Sequence, residues 1–334
     1  MAATSVALSR RPLTPINAAG LIVAVVAIVF LARLSGLSEM GGVETFVLIF
    51  TSIVVEALPF VLLGAAVSAL IEVYVSENAF ARLTRLPLPL QLPGAALGGL
   101  AFPVCECGSV PVARRLIARG MHPAAGIAFM LASPIINPIV LLSTVIAYRG
   151  RGIATEMVMG RAGLGLILAL VAGWALGSGG AKKLLRPRPA QDEAHERGHD
   201  GQRGRAFVEH LASDFFFMGR FIVVGAGLAA ALQTLIPQSL VAGVARTPLV
   251  GSLALMAIAF VLSLCSEADA FVAVSFTPFP IGSQLAFLVF GPVVDAKLSF
   301  LYGATFRERF VPRLILVSVP VVLAGSLWFE ALVS

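Results

Sequence analysis

Nine apolar stretches punctuate the chain, at residues 16–34, 44–74, 92–113, 123–147, 157–177, 207–236, 249–276, 284–305 and 311–333. A helix of about 20 apolar residues crosses ~30 Å of hydrocarbon, and these stretches match that length. They lack the period-2 alternation of barrel strands, so lipid leaves only helices able to pair every backbone group within the segment. With hydrophobic residues at 58%, charged residues at 13% and a mean hydropathy of +0.94, a soluble domain is excluded. The expected class is an all-α polytopic membrane protein.

The net charge of +6 is no sign of nucleic acid, because the basic residues sit in short loops between apolar segments. Arg10-Arg11 ahead of residues 16–32 resembles a secretory or twin-arginine signal, yet no small-residue cleavage site follows. An uncleaved first helix and its loop are expected over 1–43. Residues 178–206, with Gly179-Gly180, Arg186-Pro187-Arg188-Pro189 and mixed charges, cannot build a core and read as a flexible loop.

That loop separates two similar halves, residues 44–177 and 207–334. Pro59–Leu70 aligns with Arg220–Ala231, Cys105–Ala113 with Cys265–Ala273, and Phe129–Asn137 with Phe287–Asp295, at offsets of 161, 160 and 158. If every segment spans, loop lysines and arginines divide 11 against 11 across the membrane; if residues 92–113 and 249–276 are re-entrant, they divide 17 inside and 5 outside, Arg161 among the latter. The positive-inside rule prefers the second arrangement. It leaves three full crossings per half, so the second half is inverted relative to the first. Two inverted repeats with broken or re-entrant helices, about 7 to 9 transmembrane segments in all, are therefore expected, a recurring transporter architecture.

Polar residues within the apolar stretches are the candidate site. Pro103-Val-Cys105-Glu106-Cys107-Gly108-Ser109-Val-Pro111 places two thiols, a carboxylate and helix breakers at membrane depth. On an unbroken helix Cys105 and Cys107 would point about 200° apart; a break lets them meet. Thiolates suit soft metals and metalloids, and Cys265 holds the matching place in the other half, so three sulfurs could form a trigonal metal site of Cys105, Cys107 and Cys265. Buried cysteines that simply pack are the plain alternative.

In the second half, Cys265-Ser266-Glu267-Ala-Asp269 adds two carboxylates, which bind a cation, relay protons, or pair with an intramembrane base such as Arg220 or Lys297. Ser133-Pro134-Ile-Ile-Asn137-Pro138 and its counterpart Gly291-Pro292-Val-Val-Asp295-Ala-Lys297 break their helices and free carbonyls. Glu56 is a further intramembrane carboxylate. The expected substrate-binding set is Cys105, Glu106, Cys107, Ser109, Ser133, Asn137, Cys265, Glu267, Asp269 and Asp295, with Glu56, Arg220 and Lys297 as coupling or structural charges. His122 and His210 are placed at cytoplasmic helix ends, by the carbonyl termini or water. No nucleotide, hydrolase or metalloprotease motif occurs, so no catalytic residue, enzyme activity or cofactor is expected.

Phe102–Arg115 followed by Ala132-Ser-Pro-Ile-Ile-Asn-Pro-Ile-Val140, with Glu267-Ala-Asp-Ala-Phe271 and Phe290–Lys297, resembles the bacterial predicted-permease family that includes organoarsenical exporters, the ArsP-like or UPF0718 group. The resemblance covers most of residues 44–330. It implies a permease, and it places arsenic-engaging cysteines on Cys105 and Cys107; Glu106 between them and the lack of a cysteine-rich tail fit the broader permease group. Taken together, a proton-coupled exporter of a small thiophilic or metalloid solute is expected in a bacterial cytoplasmic membrane, with the N-terminus and central loop inside. Its partners would be the bilayer and the solute, not nucleic acid. A thiol-redox or metal-delivery protein using Cys105 and Cys107 is the alternative.

Overall fold

A computed structural model describes residues 41–75, 86–100, 104–186, 203–235 and 247–333. The N-terminal helix expected over 16–34, Pro103, and most of the central loop lie outside the described residues. Within them the chain is helical, as its composition requires: α1 (Gly41–Tyr74), α2 (Leu88–Gly98), α3 (Glu106–Ala118), α4 (Pro123–Ile136), α5 (Pro138–Tyr148), α6 (Ala154–Gly177), α7 (Ala181–Leu184), α8 (Arg203–Leu235), α9 (Pro248–Leu262), α10 (Asp269–Ala273), α11 (Ile281–Phe290), α12 (Ala296–Thr305) and α13 (Phe310–Val333). Five stretches are long and apolar enough to cross a membrane: Gly42–Tyr74, Pro123–Arg151, Ala154–Gly177, Gly204–Thr234 and Phe310–Val333. The protein is an all-α polytopic membrane protein. Its outer helices agree with that environment, since Trp174, Leu316 and Trp328 stand largely exposed where lipid would cover them.

The order of elements recurs. Each half opens on a long helix (α1, α8), continues with a shorter one (α2, α9), passes through a polar break into α3 or α10, runs through a broken pair (α4/α5, α11/α12), and closes on a 24-residue helix (α6, α13). Residues 92–113 and 249–276 are not continuous helices. Each contains extended or turn residues, at Val104-Cys105 and at Ser263–Ala268. At about 1.5 Å per residue, α2 reaches only ~16 Å and α9 ~22 Å, so neither crosses alone.

The breaks have local causes. Asn137 precedes a proline, which disfavours the α region, and sits at φ −55°, ψ 133°. Its Oδ1 then accepts from the Ile139 amide at 3.0 Å and caps α5, whose N1 position is Pro138. In the second half Gly291-Pro292 ends α11, and Asp295 caps α12 by accepting from the Leu298 amide at 2.5 Å. Ser263 ends α9 in the left-handed region, φ 48°. That conformation costs a serine about 1–2 kcal/mol; its hydroxyl offsets this by donating to the Phe260 carbonyl at 3.1 Å and accepting from the Ala296 amide at 3.2 Å.

All residues of α4 are buried, as are Gly282–Phe290 of α11, so the two broken pairs form the centre. The long helices wrap it. α1 and α8 pack along each other, and each approaches the centre through a glycine. A Cβ on Gly64 would stand 2.3 Å from Gly108 Cα in the first turn of α3, and one on Gly225 would stand 2.6 Å from Lys297 Cα in the first turn of α12. These are the two glycines that the repeat alignment superposes. At one end, Arg115 pairs with Asp214 of α8 at 2.8 Å and Glu72 of α1 at 3.1 Å, while Arg119 caps α1 by donating to the carbonyls of Ile71, Glu72 and Val75.

Two sequence expectations are corrected here. Arg161, counted among outer-loop cations, is fully buried on α6, because Asp269 lies within reach to neutralise it. His122 is not at a carbonyl terminus: it caps the start of α4, its Nδ1 accepting from the Ala124 amide at 3.2 Å.

Candidate functional site

The first turns of α3 and α12 meet at the centre of the molecule. Glu106, the first residue of α3, is 1% exposed and bonds Lys297 of α12 through Oε1 at 2.8 Å. The position suits a carboxylate, since a helix N-terminus presents unpaired amides and a positive dipole end. Lys297 also lies 3.7 Å from Asp295 Oδ2. A lone charge would be untenable here, and the pair joins residues 191 positions apart in sequence.

The second-half break closes over the same carboxylate. Ser266 Oγ lies 3.0 Å from Glu106 Oε2 and 3.4 Å from Glu267 Oε2, and its single proton serves one at a time. Cys265 donates its thiol to Glu267 Oε2 at 2.6 Å. One ligand atom each from Glu106, Cys265 and Glu267 lies within 4.8 Å of the others. Cys105, extended at ψ 174°, precedes α3, so the helix does not separate it from Cys107; the two interact, and both are buried free thiols. Among the described residues, the groups that converge within this spacing are one thiol and two carboxylates, Cys265 being the member shared with the expected three-sulfur set.

The turn holding Cys265 is anchored from behind. Arg161 binds Asp269 with both guanidinium ends, at 2.8 and 2.7 Å, and also bonds Thr144 Oγ1 at 2.9 Å and the Ser266 carbonyl at 3.2 Å. Arg161 therefore positions the residue that bonds Glu106. No sequence signal marked it beyond its being a lone arginine at the edge of an apolar run.

The remaining candidates fall at varied distances from this crossing. Glu56, half-buried on α1, is near enough to Lys297 and Glu106 to feel both charges. Ser109 ties α3 to α4 by bonding the Glu106 and Met130 carbonyls at 2.9 and 3.0 Å. Ser133 bonds back to the Phe129 carbonyl at 2.7 Å, and its backbone is packed against Gly99. Asn137 caps α5 and leaves Nδ2 buried without a partner. Arg220 lies over Phe217 and Phe221, 4.8 Å from each ring centroid. Sequence reasoning also missed Asp214, which holds Arg115 and accepts from Ser68 at 2.7 Å, and Gln284, which links the Tyr148 hydroxyl at 2.9 Å to the Phe276 and Phe279 carbonyls.

Comparison with known proteins agrees with this architecture. The chain is 43% identical over 281 residues to the UPF0718 protein YcgR of Bacillus subtilis, covering 84% of this chain and 95% of that protein. It is 34% identical over 274 residues to a putative two-component membrane permease complex subunit of Streptococcus mutans, covering 80% and 89%. No solved structure matches. The family profile described as predicted permease matches residues 43–330, a span containing every element from α2 to α12 and so both polar breaks. On that coverage and those identities, this multi-pass membrane protein belongs to the predicted-permease family, the UPF0718 group.

Proposed function

We propose that the protein is a secondary permease of a bacterial cytoplasmic membrane, exporting a small thiophilic or metalloid solute, coupled to protons, by rocking two inverted repeats about the crossing of α3 and α12. The N-terminus and the central loop lie on the cytoplasmic side in this reading. The observation that carries it is the Glu106–Lys297 pair: a buried, desolvated charge pair formed between the two halves, surrounded by three free thiols and the Glu267 carboxylate. Charges at membrane depth, held at the starts of interrupted helices, are what a solute-binding midpoint needs. Relative motion of the halves must change the Glu106–Lys297 contact, so solute occupancy and conformation are linked through it.

The name of the Streptococcus relative, a subunit of a two-component complex, supports reading this chain as one part of a larger permease. What weighs against thiol exchange as the main role is burial. Cys105 and Cys107 are 1% and 2% exposed, and buried thiols exchange slowly with an external disulfide.

Purified protein reconstituted into liposomes, tested for flux of Zn2+, Cd2+, Cu+ and a trivalent organoarsenical, checks the reading. Movement of at least one of these, lost in Glu106→Gln, is expected. A panel that leaks no faster than empty liposomes would refute it.

A further inference from the structure

Two carboxylate oxygens at the crossing have no hydrogen-bond donor. Glu267 Oε1 is buried and unpartnered, and so is Oδ2 of Asp295, a residue with 0% exposure. Desolvated carboxylate oxygens without donors are costly, so each calls for a cause. Glu267 belongs to the group, with Glu106 and Cys265, whose ligand atoms converge within 4.8 Å. Asp295 Oδ2 stands 3.7 Å from the Lys297 ammonium, which currently sits 2.8 Å from Glu106. The lysine thus has a second acceptor one short movement away, and that acceptor has an oxygen to spare.

From this arrangement we infer that Glu106, Cys265 and Glu267 form a three-ligand site for a divalent transition-metal cation of the zinc type, and that Lys297 is its tethered stand-in, passing from Glu106 to Asp295 when the cation binds. The inference rests on the permease reading, whose solute class it names. One sulfur and two carboxylates match a borderline cation. Cu(I) and trivalent arsenic favour more thiolates than this set offers, while Ca2+ and Mg2+ require about six or more oxygens. Tetrahedral Zn ligands stand about 3.3–3.8 Å apart, so the three groups readjust on binding, the Cys265 Sγ–Glu267 Oε2 contact opening from 2.6 Å. Three protein ligands with a fourth position open describe a site that exchanges its ion, unlike the closed four-ligand structural sites. As the sulfur–metal bond replaces the S–H bond, the Cys265 thiol proton, now directed at Glu267 Oε2, is released to bulk water, one proton per cation bound. No electron is transferred. Removing the dication restores the Glu106–Lys297 bond, so Glu106 is not left without a counter-charge at membrane depth.

The test uses the full chain in lipid nanodiscs with Cd2+ as the probe, followed by its thiolate charge-transfer absorption. One Cd2+ per chain is expected, with the band lost in Cys265→Ser, affinity reduced in Glu267→Gln, and the band retained in Cys105→Ser/Cys107→Ser. Lys297→Met frees Glu106 for the metal and raises Cd2+ affinity about tenfold if the lysine occupies the carboxylate some nine-tenths of the time. The same variant loses thermal stability in chelator and regains more of it with Cd2+ than the native chain does. A misfolded variant cannot reproduce that gain. The site is overturned by an absence of Cd2+ binding in the native chain, by a band that survives Cys265→Ser or requires Cys105 and Cys107, or by Lys297→Met binding no tighter than native. If the same preparation nevertheless carries another solute, the permease reading stands and only the cation site falls.

Discussion

Arg161→Met tests how the site is held. Arg161 is fully buried, and its two bonds to Asp269 at 2.8 and 2.7 Å are the carboxylate's charge compensation; its third and fourth bonds hold Thr144 and the Ser266 carbonyl. Methionine keeps much of the apolar stem and deletes the charge. Asp269 is then left buried and unpaired, a loss of about 3–5 kcal/mol when one partner of a buried pair is removed. At about 2.1 cal/mol/K of unfolding entropy per residue, a chain of 334 residues shifts by about 1.4 °C per kcal/mol, so the melting temperature falls by about 4–7 °C. Asp269→Leu leaves Arg161 buried and unpaired and costs a comparable amount from the other side. Arg161→Met/Asp269→Leu removes both charges, and because replacing a buried pair with apolar groups is often neutral, the double variant recovers most of the loss. Thermal unfolding in nanodiscs, followed by the fluorescence of Trp174 and Trp328, measures all four proteins. Losses that simply add in the double variant, or an Arg161→Met protein within about 0.5 kcal/mol of native, would refute the argument.

Further predictions follow from the packing. Gly225→Ala and Gly64→Ala each drive a Cβ against backbone that cannot turn aside, at 2.6 Å from Lys297 Cα and 2.3 Å from Gly108 Cα, so both cost about 1–3 kcal/mol in the same unfolding assay. Gly163→Ala on α6, whose added Cβ meets nothing within 4 Å, is the control and stabilises by up to about 1 kcal/mol. Asn137→Ala removes the cap of α5 and lowers stability by about 1 kcal/mol, measurable as a shifted unfolding midpoint. Asp214→Asn weakens the hold on Arg115 across α1, α3 and α8, and amide exchange of α8 rises around that residue first.

Much of this was legible because breaks in membrane helices are written locally. Asn137-Pro138, Gly291-Pro292 and the Cys105 and Cys265 motifs each carry the proline, glycine or polar cluster that ends a helix, and each lies at an interruption. The candidate residues Glu106, Cys265, Glu267, Asp295 and Lys297 were legible for the same reason, since charge is rare at membrane depth. Which charge meets which was not. Glu106 finds Lys297 and Arg161 finds Asp269 across 191 and 108 residues, and no periodicity records such distances. Arg161, Arg115 and Asp214 sit near the ends of apolar runs, where a charge normally reaches water or headgroups; packing by a second helix buries them instead. Ser263 gave no signal because its left-handed turn uses a residue that seldom adopts it.

The most direct test of the account is access to Cys265 from each side of the membrane. In a Cys105→Ser/Cys107→Ser background, an impermeant maleimide is applied to right-side-out and to inside-out vesicles. A permease whose solute site lies at the crossing of the two halves predicts slow labelling of Cys265 from both faces, suppressed by Cd2+ in each. Labelling from one face alone, or labelling that Cd2+ leaves unchanged, would contradict it.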